Sequence, residues 1–88
     1  MKAVEVFISG RVQAVGFRAF TRRNAVMLGV RGYVENLDDG RVHAVFEGED
    51  HQVEKMLELI WHGPRFSEVR EVKVKPTDRA GHTGFDVR

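Results

Sequence analysis

The sequence predicts a single α+β domain, residues 1–88, with two helices on one face of an antiparallel sheet. Three observations carry this. Apolar and polar residues alternate over residues 3–9, 30–36, 41–47 and 68–75, the period of half-buried strands. Apolar residues recur at helical spacing over residues 18–28 and again from Val53 to Trp61. Glycine and proline fall between these segments, at Gly10, Gly16, Gly29, Gly40, Gly48 and Gly63-Pro64, where chain reversals need them. The order is strand, helix, strand, strand, helix, strand, with residues 84–88 as a short candidate fifth strand. This is the split βαβ, ferredoxin-like arrangement. That scaffold hosts enzymes, RNA-binding modules and regulatory domains alike, so function has to be argued from a site.

In the first strand Val4, Val6 and Ile8 share the inward face. Residues 10–16 are too short and interrupted for a regular element. Phe17, Phe20, Thr21, Ala25 and Leu28 form one sector of the first helix, and Gly29 suits the left-handed residue that ends it. Val30, Gly32, Val34 and Asn36 share one face of the second strand, and Tyr33 falls on the other. Asp38-Asp39-Gly40 reads as a turn, and the returning strand points Val42, Ala44 and Phe46 inward. Gly48-Glu49-Asp50 reads as a helix start, with Gly48 at the cap and acids facing the dipole. Val53, Met56, Leu57, Ile60 and Trp61 then mark the core stripe, and Gly63-Pro64 stops the helix. Val72 and Val74 point inward from the fourth strand, and residues 76–83 read as a loop.

The absence of Cys excludes disulfides, thiolate metal sites and a cysteine nucleophile. No apolar run approaches the ~18 residues of a membrane span, and the N-terminal residues lead straight into a strand pattern. A cytoplasmic protein without membrane association is the expectation. Fourteen basic against 13 acidic residues give +1 with no run of like charge, so no nucleic-acid patch stands out. His43, His51, His62 and His82 lack metal-ligand spacing, and no cofactor is indicated. Ten of the basic residues are Arg, the side chain suited to bidentate contact with phosphate or carboxylate.

The informative stretch is the first strand-to-helix junction, Gly10-Arg11-Val12-Gln13-Ala14-Val15-Gly16-Phe17-Arg18. A loop bounded by glycines that feeds a helix N-terminus can aim several N–H groups at one point, beside the positive end of the dipole. Such a loop is also a common plain connection. It lacks the Lys-Ser/Thr ending of a Walker loop and the GxGxxG spacing of a dinucleotide site. Arg18 is unusual, because cations favour helix C-termini unless an anion intervenes. The bland alternative is an Arg that turns to solvent or pairs with an acid. Arg11, beside the loop, could compete for the anion. Asn36 reads either as an Asx-type residue opening the turn or as an amide that fixes a water or substrate oxygen.

GRVQAVGFR followed by GYVENLDDGRVHAVFEG resembles the acylphosphatase family, whose blocks read G-x-V-Q-G-V-x-F/Y-R and G-x-V-x-N with D/S-G-x-V. The matches are Gly10, Val12, Gln13, Val15, Phe17 and Arg18, then Gly32, Val34, Asn36, Gly40 and Val42. VEKMLELIWHGP is similar to the family's second helix and its stop, so the resemblance spans essentially the whole chain. It implies a small metal-free hydrolase of carboxylic–phosphoric anhydrides, with Arg18 binding phosphate and Asn36 orienting water. Ala14 departs from the family's usual Gly. A positive φ there would strain the loop by on the order of 1 kcal/mol.

The chemistry these residues suit is simple. The leaving group is a carboxylate, so no general acid is needed, and catalysis of a loose phosphoryl transition state is positioning and charge stabilisation. Arg18 can fork onto two phosphoryl oxygens. Backbone N–H groups of Gln13, Ala14, Val15, Gly16, Phe17 and Arg18 would hold the oxygens, and Asn36 would accept from the attacking water. The partners expected are a small acyl phosphate and inorganic phosphate or sulfate as competing anions, with the chain a monomer. Two rivals remain: a non-catalytic phosphate or acyl-phosphate sensor, and a nucleic-acid-binding module stacking bases on Phe7 and Tyr33.

Overall fold

The computed structural model describes residues 1–79 and 81–88. Its elements are β1 (Lys2–Arg11), α1 (Phe17–Leu28), β2 (Arg31–Asn36), β3 (Val42–Gly48), α2 (Asp50–His62), β4 (Glu68–Pro76) and β5 (Phe85–Val87). The sheet order is β4-β1-β3-β2-β5. The first four strands pair antiparallel, while β5 joins β2 in parallel, so the sheet is mixed. The expected loop 76–83 contains Ala80, which lies outside the described residues.

Alternation sets the core. Val4, Val6 and Ile8 of β1, Val34 of β2, and Val42, Ala44 and Phe46 of β3 are buried beneath Phe17 and Ala25 of α1 and Val53, Met56 and Ile60 of α2. Thr21 is the polar member of this layer, and its hydroxyl donates to Phe17 O at 2.8 Å. That bond satisfies a group whose burial unpaired would cost roughly 1–3 kcal/mol.

β1 runs two residues further than its alternation suggested. Between Ser9 and Gly10 its register against β4 shifts, so that Ile8 opposes Val72 and Gly10 opposes Val69. Arg70 is the extra residue, the signature of a bulge. Gly10 is required there: its φ is 125°, and a Cβ would stand 2.1 Å from Glu68 O. The bulge lies on β4 opposite the end of β1, where the chain leaves the sheet for the loop to α1.

Two expected burials and one expected exposure fail for positional reasons. Trp61 is 51% exposed and Val74 44%. Trp61 lies at the far end of α2, and Val74 lies on the edge strand β4. Tyr33, expected on an open outer face, is buried there instead. The Arg88 guanidinium lies 3.6 Å from its ring centroid and Arg79 donates to its hydroxyl, so the protein's own cations cover the stacking surface a nucleic-acid module would need. The α2 N-cap is Glu49 rather than Gly48.

Candidate active site

Two of three successive positions in the β1–α1 loop are left-handed. Ala14 has φ 60° and Gly16 φ 77°. The strained alternative for Ala14 is therefore the one adopted. Left-handed residues at two nearby positions turn neighbouring N–H groups to one side, the geometry of an anion-binding nest. Gly16 is the α1 N-cap and, having no side chain, leaves the helix start uncapped. Among the described residues, no protein oxygen accepts from the N–H groups of residues 13–19, and the first helical bond is Phe20 N to Gly16 O at 3.0 Å. A helix start whose donors are left free needs water or a ligand to satisfy them.

This start opens onto a cleft of about 360 Å³ lined by Ala14, Gly16, Phe17, Arg18 and Asn36, together with Val12, Ala19, Arg22, Arg23 and Val87. Five of the expected site residues are thus brought together from two separate segments. Gln13 and Val15 do not line the cleft. The Gln13 side chain turns away, donating to Leu37 O at 2.7 Å and Arg41 O at 2.9 Å. Arg11 is exposed and stands outside the cleft.

Arg18 is held rather than loose. Its Nη1 donates to the Arg88 main-chain oxygen at 2.7 Å, which leaves its remaining N–H groups to face the cleft. One turn on, Arg22 Nε donates to Phe85 O at 3.3 Å. The two arginines therefore fasten β5 to α1 and bring Val87 to the cleft wall. The sequence reading missed Arg22 and Arg23. For Arg22 the available signal was its spacing of four residues from Arg18 on one helix, since residues one turn apart share a face; Arg23, five residues on, gave no such signal.

Asn36 ends β2 opposite Val42. It is exposed and takes no part in the hydrogen bonds that form the turn. Leu37 N donates to Arg41 O at 2.8 Å, and Asp39 accepts from Arg41 N at 3.1 Å and Arg41 Nε at 2.9 Å. The turn-forming alternative for Asn36 therefore lacks its bond, and the carboxamide is free to serve the cleft it lines. Among the described residues, no three His, Asp or Glu side chains converge as metal ligands would, and no helix is long and apolar enough to cross a membrane.

The acylphosphatase family model matches residues 4–87. The chain is 65% identical to the acylphosphatase of Methanocella arvoryzae over 88 residues, with both proteins covered in full. It is 53% identical to that of Haloarcula marismortui over 83 residues, covering 94% of this chain and 91% of that protein. The crystal structure of acylphosphatase from Bacillus subtilis is similar to it with a TM-score of 0.96 at 34% identity, covering 100% of this chain and 99% of that one.

Proposed function

The chain belongs to the acylphosphatase family, and from that membership we propose that it hydrolyses acyl phosphates to a carboxylate and inorganic phosphate without a metal ion. The observation that supports this most is the cleft in which an uncapped helix start, Arg18 and Asn36 meet. In this reading the N–H groups of residues 13–18 and the Arg18 guanidinium bind the phosphoryl oxygens. Charge spread over those oxygens in the transition state is stabilised by donors already in place. Asn36 Oδ1 accepts a hydrogen bond from a water and aims its lone pair at phosphorus, opposite the leaving carboxylate. The new O–P bond forms as the P–O bond to the acyl group breaks. The acyl group departs as carboxylate, and the water's proton passes to a phosphoryl oxygen. No basic side chain is needed for that transfer.

The acyl portion is read only loosely by such a site, because the recognising groups all face the phosphoryl end. Hydrolysis of benzoyl phosphate, followed with and without EDTA, tests the proposal. Equal rates are expected. Activity lost in EDTA and restored by magnesium would replace the mechanism.

A further inference from the structure

We infer that Gln13 is a positioning residue that sets the distance between the anion-binding loop and Asn36; the inference rests on the acyl phosphate hydrolysis proposed above. The two halves of the cleft come from different parts of the chain. The loop follows β1, and Asn36 lies at the mouth of the β2–β3 hairpin. Strand pairing aligns β1 with β3 only as far as Ile8 and Val42. Beyond that point no ladder fixes the loop against the hairpin.

One side chain spans the gap. Gln13 sits directly before Ala14, and its carboxamide nitrogen donates to both Leu37 O at 2.7 Å and Arg41 O at 2.9 Å. Leu37 is the neighbour of Asn36. Arg41 O also accepts from Leu37 N, so Gln13 binds the closing pair of the hairpin. Both protons of one NH₂ group are used, each on a different strand end. This fixes the carboxamide plane as well as the separation. The arrangement explains why an amide stands at a loop position whose side chain avoids the cleft. In-line attack tolerates little error, since a displacement of about 1 Å can cost on the order of 10²-fold in rate.

The test replaces Gln13 by Met, which keeps the length and removes both donors. In Gln13→Met, kcat for benzoyl phosphate should fall by about tenfold or more, while inhibition by inorganic phosphate changes less than twofold. In an Asn36→Ala background the same substitution should lower kcat no further, because its effect runs through Asn36. Equal losses in both backgrounds, an unchanged kcat, or a parallel loss of phosphate inhibition would each overturn the inference. Gln13→Glu serves as the second variant should Gln13→Met fail to fold. Its carboxylate cannot donate, and its protonated form can donate once. Its kcat relative to the parent should therefore decline as pH rises through the carboxyl range near about 4.3, and a flat ratio would count against Gln13. Inactivity of the parent chain is a separate result and would strike the hydrolase reading itself.

Discussion

The two helices begin in opposite ways. α2 starts at Glu49, carries Asp50 in its first turn, and is closed by Gln52. The Gln52 carboxamide accepts from Glu49 N at 2.8 Å and donates to Leu28 O at 2.8 Å, joining the start of α2 to the end of α1. α1 starts at a left-handed glycine, has no acid in its first turn, places Arg18 there, and leaves its N–H groups free. One helix start is closed from within the chain, with Glu49 N bonded to the Gln52 carboxamide, Gln52 N bonded to Glu49 O, and charge matched to the dipole. The other is unfinished in both respects, and a bound anion would supply both. The contrast marks the α1 start as the candidate site more clearly than the glycines of either segment do.

The strongest way to break this contrast is to remove the cation from α1. Arg18→Ala should lower kcat/KM by about 10³-fold or more and abolish phosphate inhibition, because a charge-assisted fork acts on ground and transition states alike. Asn36→Ala should lower kcat by roughly 10²–10³-fold and leave phosphate inhibition nearly unchanged. Steady-state kinetics with thermal melts of both variants checks the division. If both substitutions weakened phosphate equally, Asn36 would be a ligand rather than a water-positioning group.

Anion binding probes the unfinished start directly. Phosphate or sulfate at 100 times its Kd should stabilise the fold by about 2.7 kcal/mol, and the gain should vanish in Arg18→Ala. An unchanged melting temperature in saturating phosphate would remove the loop as an anion site. At the finished start the signs reverse: Gln52→Ala should cost about 1 kcal/mol of stability with kcat/KM unaltered. A fall in activity without a fall in Tm would mean that α2 serves the site. The smallest effect is expected at Ala14. Replacing it by Gly relieves up to about 1 kcal/mol of left-handed strain, so Ala14→Gly should raise Tm slightly without lowering turnover. Severe loss of activity in a folded Ala14→Gly protein would show that the methyl group orders the loop.

Much of this was legible in the sequence because period and burial agree. Val4, Val6 and Ile8, or Val53, Met56 and Ile60, declare their faces without tertiary knowledge, and all are buried. The junction from Gly10 to Arg18 was legible for another reason: a cation at a helix start is locally unfavourable and asks for an explanation. What escaped depended on distant partners. Tyr33 is buried by Arg88 and Arg79, far along the chain. Val87 lines the cleft because α1 arginines hold β5. The two carbonyls that receive Gln13 lie 24 and 28 residues away, beyond the reach of any local pattern.

The hold of Arg18 on Arg88 spans 70 residues and gives the site a place in the order of folding. The backbone hydrogen bonds of α1 lie within its own segment. Its arginine acquires a fixed direction only when β5 has added to β2 at the edge of the sheet. A refolding chain is expected to regain helix before it regains catalysis, with the interval between the two measuring the docking of one three-residue strand. Stopped-flow circular dichroism beside a continuous assay would resolve that lag, and simultaneous recovery would mean that strand and helix assemble in a single step.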